Sequence, residues 1–375
     1  MCLHPLRSRA ATERVQFRTN MKTLLSTLVL LASLSRAGTL YLPAYPSSVL
    51  VIDESSFQIL DRIPLLTGTP MSMRLSPDHT KLYVTTIDHN GFEIVDLATR
   101  KVTTHFILDT PTKRYRMRSG VVDPEGKFFY TVSKEIDQLP DHFEISRPKL
   151  TTVDLTTQKI VKTADMSKGD ELAYRPAFEI SPDGKYLYQF GSKIAVIQTS
   201  DLKVIDHLDL AAPDSAGMEN VRLGAELGLI SQPGLRMSLF TSTDPIVHNR
   251  VFGLARMDLE SRKVDYNPIG PAPTGMAGLQ VTPDKKFAYT VVTNGILGNK
   301  RCEFWAFDLS NDRLTQKAEV ACRARFSLGM SSDGKKLYFY GAGFEVEVYD
   351  AATFKLEKTW DLNNDITMAG IAALP

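Results

Sequence analysis

Beyond residue 38 the apolar positions recur in short alternating runs, apolar then polar, and each run is broken by Pro, Asp, Gly or Asn. That two-residue period predicts half-buried β-strands, since a helix repeats its apolar face every 3.6 residues. No later stretch sustains a helical period for long. The runs are also self-similar. A Ser-Pro-Asp-Gly-like turn stands in LSPDHTKLYV from Leu75, VDPEGKFFYT from Val122, ISPDGKYLYQ from Ile180, VTPDKKFAYT from Val281 and MSSDGKKLYF from Met330, and a degenerate copy, SQPGLRMSLF, starts at Ser231. The matched turn positions His79, Gly126, Gly184, Gly234, Lys285 and Lys335 lie about fifty residues apart.

Each turn is followed by a second signature, among them VDLATRKV ending at Val102, VDLTTQKI at Ile160, MDLESRKV at Val264 and YDAATFKL at Leu356. Alternating apolar residues leading into Asp-x-x-(Ser/Thr/Asn)-x-(Lys/Arg) read as a hairpin between two further strands. One unit therefore holds four strands, and a four-stranded unit of this length is the blade of a β-propeller. The segment GTLYLPAYPSSVLVIDESSFQILDRI from Gly38 lacks an innermost strand, and NDITMAGIAALP at the end looks like the missing one. The expectation is an all-β, seven-bladed β-propeller over residues 38–375, with four-stranded blades and a ring closed by the C-terminal strand joining the N-terminal blade. Such an exchange removes an open sheet edge.

Ahead of the repeats, residues 1–20 are polar and Arg-rich, an extension or a misplaced start. Residues 21–37, MKTLLSTLVLLASLSRA, have the basic start, apolar run and small final residues of a secretory signal peptide. A periplasmic or secreted protein is expected, and the apolar run is too short for a stable membrane span. With 44 basic and 43 acidic residues the net charge is +1, which gives no electrostatic reason to expect nucleic acid. Of three cysteines, Cys302 and Cys322 flank a predicted hairpin whose turn is near Asn311. A disulfide and two free buried thiols both fit that placement. The chain has no C-x-x-C-H and no H-E-x-x-H, so covalent haem and zinc are unsupported and no cofactor is expected in this chain.

The two short turn types fall on one face of such a ring, and the irregular loops on the other. These are residues 109–118, 133–148, 165–175, 211–221, 241–250 and 294–301. Binding residues gather on irregular loops held by a rigid scaffold, so the loop face is the expected functional face. Arg114, Tyr115, Arg116 and Arg118 suit a carboxylate or an acidic partner surface, or are solvated loop charge. Asp141, His142 and Glu144 surround Phe143 in the longest insertion. A His between two carboxylates is a general-base candidate, but no nucleophile stands at a motif spacing, which favours a protein-contact loop. His248 sits in another of these loops. The repeated Asp96, Asp154, Asp258, Asp308 and Asp350 read as turn-formers, and Tyr186 and Tyr188 as strand packing. No catalytic residue is assigned.

LYVTTIDHNGFEIVDLATRKV from Leu82 resembles the YVTN-type propeller repeat of exported bacterial proteins. DHFEISRPKLTTVDLTTQKI from Asp141, the LARMDLESRKV unit from Leu254 and AGFEVEVYDAATFKLEKTWDL from Ala342 resemble the beta subunit of quinohemoprotein amine dehydrogenases, over essentially all of residues 38–375. This resemblance implies a cofactor-free, seven-bladed periplasmic subunit. Its implied partners are a subunit carrying c-type haem and a small subunit carrying cysteine tryptophylquinone, in a complex that oxidises primary amines. The propeller would supply a docking platform and part of a pocket wall, with His142, Phe143 and Glu144 as the matching interface. The alternatives are a stand-alone YVTN or lactonase-like propeller acting on a small molecule at the axis, and a surface protein-interaction propeller.

Overall fold

In the computed structural model, which describes residues 38–166, 177–191, 193–211, 218–227 and 232–375, the repeat turns are built from side-chain hydrogen bonds. Ser76 and Ser181 donate their hydroxyls to Asp78 and Asp183 at 2.6 and 2.7 Å. Each Asp also accepts the backbone N–H two residues on. These bonds hold both carboxyls down at about 2. The residue after the Asp turns the chain through a left-handed conformation, with φ 57° at His79, 71° at Gly184, 60° at Lys285 and 73° at Gly334. Gly334, not Lys335, is thus the matched position of the last copy: the turn is fixed by its left-handed residue, and the Lys335 N–H instead bonds back to Asp333. In the second turn type, Asp96, Asp154, Asp258, Asp308 and Asp350 each accept backbone N–H groups of the following turn residues. They are turn-formers, and the chain passes through the left-handed region four residues later, at Arg100, Gln158, Arg262, Asp312 and Phe354.

The strands assemble into antiparallel sheets in which each repeat forms one unit, innermost strand first. Among the described residues five sheets of four or five strands stand apart as separate blades, and the sixth is a continuous sheet of eight strands. This corrects the expectation of seven separate four-stranded blades. Strand Leu356–Ile366 is bonded to strand Thr39–Ala44 through Ile366 and Ala44, which fuses the last and first repeats. A repeat counts sequence units and does not report hydrogen bonds between them. The all-β, propeller-like class agrees with the structure. The C-terminal strand Ala372–Leu374 pairs with Thr39–Tyr41, and Glu54 adds a tie by accepting the Ser332 N–H and the Tyr338 hydroxyl.

Apolar layers lie between neighbouring sheets. Val49 and Val51 of the first repeat pack on Met73, Leu82 and Val84 of the second, and Tyr188, Val196 and Phe240 join two later ones. The alternation of each strand supplies one buried row per face, which is why the sequence alternates at all. Strands Arg301–Asp308 and Arg313–Val320 form the hairpin around Asn311, and Cys302 and Cys322 are joined by a disulfide with Cα atoms 5.2 Å apart. Residues Gly38–Pro375 form one unit. The expected extension and signal peptide, residues 1–37, lie outside the described residues, as do most of the 165–175 and 211–221 loops. Among the described residues no helix is long and apolar enough to cross a membrane.

Candidate functional site

Two features depart from the repeat, one on each face. On the loop face the blade of strand Lys113–Val122 is extended into an arm. That strand pairs along Phe128–Gln138, and strand Phe143–Ile145 folds back onto Ile136–Gln138. The register places Arg114, Ile136 and Ile145 side by side, with Arg116 opposite Lys134. Side chains alternate across a strand, so Arg114, Arg116, Lys134, Ile136, Phe143 and Ile145 share one side of the arm. Phe143 and Ile145 are 64% and 61% exposed, and among the described residues no ion pair engages the three cations. The other side is internally neutralised. Lys113 bonds Glu135 at 3.0 Å and approaches Asp137 at 3.4 Å, while Lys149 lies 3.6 Å from Glu135. The Lys113 hydrogen bond lowers the Glu135 pKa.

The structure therefore joins two clusters that the sequence left separate, Arg114–Arg116 and Asp141–Glu144. The Tyr115 N–H is held by Asp109 at 2.8 Å, on the neutralised side with Glu144. His142 pairs with Asp141 at 2.7 Å at the exposed hairpin tip. His248, with φ 58°, closes a separate loop between strands Leu235–Thr243 and Arg250–Asp258; among the described residues no hydrogen bond or ion pair joins it to the arm. The side chain of Arg118 lies outside the described residues. Other loops on this face also expose large apolar tips. Ile246 is 84% and Leu297 91% exposed, and Tyr45, Leu66, Ile87 and Phe344 join them. At the turn-face ends of the strands the exposed large apolar residues include Ile59, Phe287 and Leu356, each the first residue of a strand leaving a turn and 40%, 40% and 52% exposed.

The second feature is a cavity of about 340 Å³ on the axis at the turn face, lined by turn residues of several blades, including His79, Pro233 and Lys285. Glu226 is the one carboxylate among its described lining residues. Beside it runs a cross-channel ion cluster. Glu179 accepts from Arg74 at 2.8 Å and from Arg236 at 3.1 Å, although Arg74 and Glu179 belong to non-adjacent blades. Arg74 Nη1 also donates to Phe178 O and Arg236 Nη2 to Gly224 O, while the buried Arg236 Nε has no partner among the described residues, and Arg236, 5% exposed, also stacks over the Phe190 ring. Glu226 accepts the Met237 N–H at 2.9 Å but has no direct partner in the cluster. Burial, then the Glu179 charge, push its pKa up to about 7 against the opposing pull of Arg236 and Arg74. Both arginines donate to the same Glu179 oxygen, Oε1. Among the described residues no group of three or more His, Cys, Asp and Glu is placed to hold a metal.

Sequence reasoning placed no functional residue on the turn face and missed this cluster. A signal was present: two residues before the turn hydroxyl, where other copies carry Val121, Gln280 or Gly329, stand the charged Arg74 and Glu179.

The sheet order and the axial channel define a propeller-like all-β protein. No protein-family model matches the chain, and no curated protein matches it. Among solved structures it is similar to the dihydro-heme d1 dehydrogenase NirN in complex with DHE, at 15% identity over 89% of this chain and 74% of that one, with a TM-score of 0.50. It is likewise similar to a functionally unknown protein from Desulfotomaculum acetoxidans DSM 771, at 12% identity over 90% and 98%, with a TM-score of 0.52. Hydrazine synthase from Kuenenia stuttgartiensis matches at 17% identity over 75% and 76%, with a TM-score of 0.46. At these identities the likeness is one of fold.

Proposed function

We propose that the chain is an exported, non-catalytic propeller that docks a redox partner on its loop face, in the manner of a quinohemoprotein amine dehydrogenase beta subunit. The observation that carries this reading is the one-sided surface. Exposed apolar tips collect on the loop face, and the arm adds three cations, without an ion pair among the described residues, beside Phe143 and Ile145. Contiguous exposed apolar surface marks interaction sites, and Arg with aromatic residues is enriched in their centres. The complementary partner surface is apolar and acidic, and the sequence resemblance assigns it to a subunit bearing c-type haem or a tryptophylquinone. In this reading His142, Glu144 and His248 are contact residues, the chain carries no cofactor, and the oxidation of the amine belongs to the partner. The fold of NirN, whose solved structure holds DHE, is compatible with a haem-related setting.

Purifying the tagged protein from its native cells tests this. Co-purification of a chain with haem absorbance, lost in an Arg114→Glu/Arg116→Glu/Phe143→Ala variant that keeps its melting temperature, supports it. A chain that purifies without haem or quinone absorbance refutes it.

A further inference from the structure

The geometry points to a second, independent site: the axial cavity on the turn face binds a small molecule with a ring-sized apolar body and a hydrogen-bond-donating head, which Glu226 receives. This goes beyond the docking reading and uses the opposite face. The volume of about 340 Å³ falls at the small end of ligand pockets, roughly 300–1,000 Å³. Met237, Leu279, Val281, Met330 and Ile371 supply apolar wall, which favours an apolar body. Into that wall projects one carboxylate. Met237 N–H occupies Oε1 of Glu226, and no described group donates to Oε2.

The charge arrangement selects a donor over an acceptor. Neither Arg74 nor Arg236 lines the cavity, and their hydrogen bonds go to Glu179, Phe178 O and Gly224 O, so none of these bonds is offered to a ligand there. Glu226 then brings the cluster of two arginines and two glutamates to neutrality when it is ionised. An anionic ligand head would meet an unpaired carboxylate. A hydroxyl or a nitrogen donor supplies the missing bond, and a charged amidine supplies two. His79 and Lys285 are the other titratable groups lining the cavity. Because burial and Glu179 hold Glu226 partly protonated near neutrality, a cationic donor releases a proton as it binds.

Titration calorimetry of the purified protein with benzamidine, benzyl alcohol and benzoate tests the site. Benzamidine and benzyl alcohol are expected to saturate one site, with benzoate at least about tenfold weaker. At pH 7 the benzamidine heat should vary with the ionisation enthalpy of the buffer, reporting proton release. Glu226→Gln should weaken benzamidine at least about tenfold and abolish that buffer dependence. Val281→Phe, which fills the cavity away from the ion cluster, should remove binding of both probes without lowering the melting temperature. Absence of saturable binding by either donor probe up to about 10 mM, equal binding of benzoate, or unchanged benzamidine affinity in Glu226→Gln overturns the proposal. None of these outcomes depends on whether a haem-bearing partner docks on the loop face.

Discussion

Replacing Glu226 by Gln should make the protein more stable relative to wild type as the pH rises, and the structure gives the size of the effect. Burial and the charge of Glu179 raise the Glu226 carboxyl from 4.5 to about 7, against the attraction of Arg236 and Arg74. The native state thus binds this proton more tightly than the unfolded chain does. The resulting stabilisation is complete below pH 4.5 and is lost as the pH climbs through about 7. Each tenfold in proton affinity is worth ~1.4 kcal/mol, so the full span is about 3 kcal/mol. Gln keeps the shape and can accept the Met237 N–H, yet carries no titrating proton. Between pH 5 and pH 8.5 the stability of the variant minus that of wild type should rise by about 2.5 kcal/mol. Urea unfolding of both proteins at several pH values measures it. A difference flat to within about 0.5 kcal/mol would show that Glu226 titrates as an ordinary surface carboxyl, and would refute the buried placement beside Glu179.

Glu179→Ala leaves the buried Arg236 and the half-buried Arg74 without their shared partner and should cost about 3–5 kcal/mol in the same assay; a loss below about 1 kcal/mol would rule out the cross-channel tie. Removing the disulfide by Cys302→Ala/Cys322→Ala, a bridge spanning 20 residues, should cost about 3 kcal/mol, and reductant should lower the wild-type melting temperature but not that of the variant. Gly253→Ala places a Cβ 2.0 Å from Asn267 O and 2.7 Å from the Phe240 ring, where two backbones meet; a loss of at least about 2 kcal/mol is expected, and unchanged unfolding would contradict that packing.

The repeat was legible because its causes are local. Ser76, Ser181 and Ser331 precede their turn Asp by two residues and donate to it, and such short-range bonds leave a fixed spacing in the sequence. The pairing of Cys302 with Cys322 was left open, since spacing alone could not say on which side of the hairpin each sulfur lies. The number of separate blades was not legible, because it turns on a single pairing between Ala44 and Ile366. The arm was half legible. Its insertion stood out against the repeat, but that Arg114 and Ile145 flank Ile136 on one side follows from strand register, which alternation along a single strand does not fix.

The axial site shows why a weakened repeat carries more information than a clean one. In the degenerate copy the innermost strand shrinks to Arg222–Leu223. The chain that follows leaves its own blade, and the Leu279 N–H bonds Ala225 O while the Leu227 N–H bonds Leu279 O, a short parallel link to the next blade. Gly278 permits it, since a Cβ there would stand 2.5 Å from Ala225 O. Glu226 lies at the centre of this detour, held beside the axis by Met237 N–H in place of an apolar strand residue. Loss of the regular inner strand, the carboxylate and the cavity are therefore consequences of one local change. The turn face, where the loop argument placed no functional residue, thus carries a deep chemical irregularity of its own.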